Sequence, residues 1–234
     1  MTELLLISNS TLHGSGYLDH CAGEITSFLR ERKNIVFIPY ARPNGISHEA
    51  YTKIARERYK KMGFSLKGIH EYTSPNHAVD DADAFFTGGG NTFVLLTMLY
   101  KTGAFSLVQQ AVKNGIPYIG TSAGSNIACK SIQTTNDMPI MYPPTFDAFG
   151  FVSFNINPHY LDPDPTSTHM GETRETRINE FLIHNTLSVV GLREGAMLHI
   201  SNEKIILKGT TGARVFFKDG SQKEYKPVNE IKGL

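Results

Sequence analysis

The sequence contains no tryptophan and only two cysteines, Cys21 and Cys129. Neither cysteine lies in a C-x-x-C pair or beside a histidine at metal-ligating spacing. A zinc module or a disulfide-stapled scaffold is therefore not expected; two buried, reduced thiols are. Long apolar runs are missing too, and none approaches the ~20 residues of a membrane span. The first apolar run, residues 4–7, follows Glu3. It is too short and too acidic for a secretory signal, so a cytoplasmic protein is expected. Neither sign of charge dominates: 23 Lys and Arg against 22 Asp and Glu leave a net charge of +1. The densest basic cluster, residues 53–61, contains Glu57 and reads as a solvated helix face. Nucleic acid and anionic membranes are thus not expected as partners. There is no repeat, low-complexity tract or Pro/Ser-rich linker. A chain of 234 residues can bury a full core, and residues 1–234 read as one domain.

What the chain does have is an alternation of two periodicities. Residues 4–8 and 34–40 are short, continuous apolar runs, as in parallel strands covered on both faces. Residues 17–32 carry apolar positions near helical spacing. Residues 47–62 form a charged helix closed by Gly63. Further strands are expected over 64–72 and 84–87, a turn of helix over 78–83, helices over 93–100 and 105–114, and a strand at 117–119. This alternation predicts an α/β fold with a mostly parallel, doubly wound sheet flanked by helices. Beyond residue 134 the pattern loosens into polar and proline-rich loops, among them 162–168, a candidate flap beside a site. A strand is expected over 151–156 and a helix over 171–184. The end is β-rich, with strands over 187–192, 196–200, 204–208 and 213–218 and a hairpin turn at Asp219-Gly220.

Residues 116–126 read I-P-Y-I-G-T-S-A-G-S-N: a short strand, a tight turn and a helix start. The G-x-S-x-G from Gly120 to Gly124 is the nucleophile-elbow pattern, which exposes a serine at a sharp strand-to-helix turn. Ser122 is the candidate nucleophile. The Ala123 amide, at the positive end of the helix, is a candidate oxyanion donor. A second glycine turn, Gly88-Gly89-Gly90-Asn91-Thr92, also ends a strand and opens a helix. It lacks the Lys-Ser/Thr of a P-loop and the distal acid of a dinucleotide fingerprint. Both turns leave the same end of a parallel sheet, where sites form. Gly89 or Gly90 is therefore expected to supply a second oxyanion donor, with Asn91 beside the substrate.

A serine hydroxyl needs a base within hydrogen-bond reach and an acid to orient that base. Of the nine histidines, His159 stands out, following a predicted strand and a proline in a loop at the expected site end. Two acids on loops compete to orient it: Asp137 and Glu194. The order Ser, Asp, His is that of the α/β-hydrolase elbow, although the spacing there is longer.

Several stretches together resemble the peptidase E family, the α-aspartyl dipeptidases. They are L-L-L-I-S-N-S-T, F-I-P-Y, G-G-G-N-T, Y-I-G-T-S-A-G-S-N, T-T-N-D-M-P-I, I-N-P-H-Y, G-E-T-R-E-T-R-I and G-L-R-E-G, in order from residue 4 to about 200. T-T-N-D-M-P-I and G-E-T-R-E-x-R-I are far more specific than G-x-S-x-G. The C-terminal stretch carries no motif of this kind. The resemblance implies a cytosolic serine exopeptidase cleaving Asp-X dipeptides, with no cofactor or metal, as a monomer or homodimer. It implies a class I glutamine amidotransferase-like sheet, Ser122 as nucleophile and His159 as base. It leaves Asp137 and Glu194 in competition, with Glu194 slightly favoured and Asp137 free to hold its loop or bind the substrate amine.

The resemblance also implies Arg174 as partner of the substrate β-carboxylate, a pairing that guanidinium makes bidentately. Spacing alone would instead pair Arg174 and Arg177 with Glu172, Glu175 or Glu180 of their own helix. One departure is Thr121, where bacterial members carry Trp; a smaller residue there widens the pocket or alters the approach to Ser122. Alternatives are a cyanophycinase-like peptidase acting on β-aspartyl linkages, an esterase sharing the elbow, and a catalytically silent binding protein. The esterase would want an apolar lid and an H-G-G-G stretch, and a glutamine amidotransferase would want Cys in place of Ser122.

Overall fold

The computed structural model describes residues 2–43, 45–168 and 170–234. The first half alternates strand and helix: β1 (Glu3–Ile7), α1 (Ala22–Leu29), β2 (Asn34–Ile38), α2 (His48–Lys61), β3 (Ser65–Gly68), α3 (Pro75–Asp80), β4 (Ala84–Thr87), α4 (Thr92–Lys101), α5 (Ala104–Lys113), β5 (Tyr118–Thr121) and α6 (Ala123–Ile127). The second half holds β6 (Asn155–Pro158), α7 (Arg174–His184) and then β7 (Val189–Leu192), β8 (Ala196–Ser201), β9 (Lys204–Gly209), β10 (Ala213–Phe216), β11 (Gln222–Tyr225) and β12 (Glu230–Ile231).

Eight strands form the main sheet in the order β12-β9-β8-β1-β5-β4-β2-β3. From β1 to β3 every pairing is parallel. From β1 outward to β12 every pairing is antiparallel. A second sheet, β11-β10-β7-β6, takes the rest of the β-rich end. The expected α/β sheet is thus present, and its C-terminal strands both extend it and build a smaller one.

The parallel strands bury both faces, as their unbroken apolar runs require. In β1, Leu4 and Leu6 enter one core, and Leu5 and Ile7 the other; β2 divides Val36 and Ile38 from Ile35 and Phe37. Helices α1 and α2 cover one face, while α3 to α6 cover the other. Each buried side chain of this size contributes roughly 1.5–3 kcal/mol. The smaller sheet shares the first core through Ile156, Val190 and Val215. Its other face packs Val189 and Phe216 against Ile178 and Leu182 of α7.

Several boundaries differ from expectation for local reasons. Helix α1 starts only at Ala22, because Leu18 adopts φ +57° and turns the chain. Helix α7 starts at Arg174, because the Thr173 side chain caps it by accepting from the Thr176 N–H. The strand expected over 64–72 ends at Gly68 in a 3-10 turn, Ile69–Glu71. The strand expected over 151–156 lies later, at Asn155–Pro158. Residues 151–154 bury their apolar side chains without pairing; Phe151 stacks on Phe149 at 4.9 Å. This shift matters, because it puts His159 directly at the strand's end. Among the described residues, no helix is long and apolar enough to cross a membrane.

Candidate active site

Strand β5 ends and helix α6 begins at Ser122, whose backbone sits at φ +53°, ψ −109°. A non-glycine residue holds such a conformation only when its surroundings enforce it, at a cost of about 1–3 kcal/mol. Here the enforcement comes from close packing. A Cβ on Gly120 would strike the Gly124 carbonyl, and one on Gly124 would strike the Thr87 carbonyl of β4. The elbow glycines therefore let α6 settle between β5 and β4.

His159 meets Ser122 from the end of β6. Its Nε2 lies 3.0 Å from Ser122 Oγ, and its Nδ1 lies 2.6 Å from Glu194 Oε1. His159 also has a positive φ, +53°. Glu194 follows β7, so nucleophile, imidazole and acid come from the C-terminal ends of three strands in two sheets. His159 and Glu194 side chains are 39% and 47% exposed, which leaves the pair open to solvent and substrate.

The end of β1 braces all three segments. The Ile7 carbonyl accepts the Ser122 N–H at 3.0 Å. The Ser8 hydroxyl accepts the His159 N–H at 2.9 Å and donates to the Leu192 carbonyl at 2.8 Å. Asn9 Oδ1 accepts the N–H of Gly195, next to Glu194, at 2.9 Å. The Thr211 hydroxyl donates to the Glu194 carbonyl at 2.6 Å.

The structure does not bring Asp137 to His159. Its Oδ2 accepts from the Thr92 N–H at 2.8 Å, the Thr92 hydroxyl at 2.7 Å and the Thr135 hydroxyl at 2.9 Å. An anion at the first residue of α4 is favoured by the helix dipole. The neighbouring residues complete a bridge: Thr134 Oγ1 donates to the Ile156 carbonyl, and Asn136 Nδ2 to the Pro158 carbonyl. T-T-N-D-M-P-I thus ties the strand before His159 to the helix after the glycine turn. Asn91 belongs to the same bridge. Its Oδ1 caps α4 at the Val94 N–H and its Nδ2 donates to the Met138 carbonyl.

The glycine turn runs beside the nucleophile. A Cβ on Gly89 would lie 3.1 Å from Ser122 Cβ. Gly90, at φ +147°, has no room for a Cβ against the Ala41 carbonyl. The Tyr51 hydroxyl donates to the Gly89 carbonyl at 3.2 Å and fixes the turn from behind. Ala123 is buried at the first position of α6, where an amide has no acceptor within the helix.

Arg174 opens α7 and lines a cavity of about 420 Å³ with Leu161, Asp162 and Thr173. Arg177 pairs at 3.8 Å with Glu172, which precedes the helix by two residues. Glu175 instead pairs with Arg214 at 3.3 Å. Among the described residues Arg174 has no ion pair. Burial, reinforced by Arg177, lowers its pKa, while the Asp137 carboxylate acts in the opposite direction. A half-buried cation of this kind gains from an arriving anion. Among the described residues no group of three or more His, Cys, Asp or Glu is arranged to hold a metal ion. Of the nine histidines, His169 lies outside the described residues.

Residues 4–208 match the pattern of Peptidase family S51. The chain belongs to that family. It is 48% identical to the Streptomyces coelicolor protein named Peptidase E over 232 residues, covering 99% of this chain and 94% of that one. It is 44% identical to the Drosophila melanogaster protein named probable alpha-aspartyl dipeptidase, covering 98% of this chain and 95% of that one. Its fold resembles a solved peptidase from an acI-B1 Actinobacterium, with a TM-score of 0.72 at 16% identity over 99% of this chain and 97% of that one. The bracing roles of Ser8, Asn9, Tyr51 and Thr211 in this S51 member are not signalled by any motif, although Ser8 and Asn9 lie within L-L-L-I-S-N-S-T. One signal was available in the sequence: Ser8 and Asn9 are polar and follow an apolar strand at once; the structure buries both.

Proposed function

We propose that this S51 peptidase is a serine-type α-aspartyl dipeptidase that hydrolyses Asp-X dipeptides with an N-terminal L-aspartate. The observation that carries this reading is the Ser122–His159–Glu194 relay; a separate support is the Arg174 guanidinium, which lines its own cavity and has no ion pair among the described residues. Ser122 Oγ attacks the scissile carbonyl while His159 Nε2 takes its proton. Glu194 holds the other ring nitrogen and stabilises the imidazolium that forms. The developing oxyanion is captured by the Ala123 N–H and by an N–H of Gly89 or Gly90. His159 then returns the proton to the leaving amine. Water, activated by the same imidazole, hydrolyses the acyl-enzyme and frees aspartate.

Arg174 pairs with the β-carboxylate of the substrate aspartate. A partly buried guanidinium left unpaired by Ala-X or Leu-X is costly, so discrimination of ~10⁴ is expected. Asn-X is the sharpest comparison, being nearly isosteric and uncharged. Two free, buried cysteines accord with a reducing, cytoplasmic setting.

The deciding experiment is amine release from Asp-Leu, Asn-Leu, Glu-Leu, Ala-Leu and β-Asp-Leu, with wild type and Ser122→Ala in parallel. Asp-Leu is expected to be the preferred substrate, and Ser122→Ala to lose about 10⁶-fold in kcat. Turnover of β-Asp-Leu in its place would transfer the assignment to a β-aspartyl peptidase. Silence on the whole panel by folded protein would leave a binding protein.

A further inference from the structure

The C-terminal hairpin of β10 and β11 lies beyond the family match, which ends at residue 208. Its charged side chains nevertheless reach the surroundings of Arg174. Arg193, the residue before Glu194, holds Asp162 through Nε at 2.7 Å and Nη2 at 2.8 Å, and also pairs with Glu224. Arg214 of β10 touches all three nearby acids: Asp162 at 3.2 Å, Glu175 at 3.3 Å and Glu224 at 3.1 Å. Gln222 of β11 adds a hydrogen bond to Glu175 at 2.8 Å. The group lies over the buried ring of Tyr160, next to His159, with the Arg193 guanidinium 5.7 Å from the ring centre.

Three carboxylates here share two guanidinium groups, a local charge of −1. Asp162 lines the same cavity as Arg174, and Glu175 is its neighbour in sequence. An anionic substrate must bring its own carboxylate to this place. Without Arg214 the local charge becomes −2, and the cavity repels the group that Arg174 is there to bind.

We propose that Arg214 is a positioning residue for substrate recognition, neutralising Asp162, Glu175 and Glu224 so that the Arg174 cavity accepts a carboxylate. The proposal rests on the reading of Arg174 given above and extends it to a part of the chain that carries no family motif. The role is one of charge and not of shape. Lysine should therefore substitute for Arg214, and removing one acid should compensate for its loss.

The test is a set of steady-state kinetics on Asp-Leu for wild type, Arg214→Gln, Arg214→Lys, Glu175→Gln, the Arg214→Gln/Glu175→Gln double variant and Arg174→Ala. Arg214→Gln is expected to raise KM about fivefold, with kcat within about twofold of wild type. Arg214→Lys and the double variant are expected to return close to wild-type KM. The penalty of Arg214→Gln should shrink in ~1 M salt, where the Debye length is about 3 Å. An unchanged KM in Arg214→Gln overturns the proposal. So does a KM that stays raised in both Arg214→Lys and the double variant, the outcome of a purely mechanical clamp. If Arg214→Gln does not fold, Glu175→Gln still decides, because it should leave KM equal or lower; a rise refutes charge compensation. Arg174→Ala reports separately: an unchanged KM there would refute the Arg174 reading itself, whatever Arg214 does.

Discussion

At the scale of single residues, Glu194 and Asp137 give the most direct contrast. One lies against His159 Nδ1, while the other is spent on Thr92 and Thr135. Glu194→Gln keeps the shape and offers the ring the wrong hydrogen-bonding partner. It is expected to cost about 10⁴ in kcat, the loss seen when a triad acid becomes its amide. Asp137→Asn should cost less kcat than Glu194→Gln and instead lower the thermal midpoint, because it weakens the loop bridge to α4. Steady-state kinetics with a melting curve for each variant separate the two. Ser8→Ala removes a hydroxyl that both accepts from the His159 N–H and donates to Leu192. Leaving those buried groups unpaired is expected to cost about 1–3 kcal/mol of stability, read by urea unfolding, together with a lower kcat. Ser122 and His159 were legible in sequence because an elbow and a strand-end histidine are local patterns. The choice between the two acids was not, because both sit on loops and spacing does not say which loop folds back to the imidazole.

At the scale of elements, the site depends on close backbone approach. Gly124→Ala would drive a methyl into the Thr87 carbonyl of β4 and force α6 off the sheet. Both activity and solubility are expected to fall, measurable as loss of Asp-Leu hydrolysis in whatever soluble protein is recovered. The start of β2 is held differently. Asp83 Oδ2 accepts the N–H groups of Asn34 and Lys33, each at 2.9 Å, and these bonds keep its carboxyl below the usual range. A carboxyl depressed in the folded state contributes stability above its unfolded pKa and loses it as pH falls through the folded one. The stability gap between wild type and Asp83→Asn should therefore narrow as pH drops below about 4. Urea midpoints across an acid series test this. Helix and strand identity were readable from periodicity, whereas ends were not. Thr173 starts α7 three residues later than expected by capping it, and residues 151–154 follow an irregular path whose apolar side chains mimic a strand pattern.

At the scale of the molecule, the two sheets are joined by one core. Leu4 and Val36 of the main sheet share a cluster with Val190 and Val215 of the smaller one. We therefore expect a single calorimetric transition, with van't Hoff and calorimetric enthalpies in agreement. Removing residues 210–234 would keep Ser122, His159 and Glu194 but strip β10 from β7. The truncated chain is expected to be inactive, because β7 leads into Glu194 and pairs with the strand that carries His159. A parallel sheet with an elbow could be read from the sequence. The way residues 187–231 divide between two sheets could not, because antiparallel strands of similar length and composition can pair with either.

The bracing by Ile7, Ser8 and Asn9 also has a consequence in time. Ser8 and Leu192 lie 184 positions apart in the chain, and Asn9 and Gly195 lie 186 apart. Until the segment around residues 192–195 closes against β1, His159 lacks both its brace and the Glu194 carboxylate. Under the proposed mechanism, hydrolysis requires these distant segments to have met. An elbow formed before that closure still lacks the base and the acid that a serine hydroxyl needs.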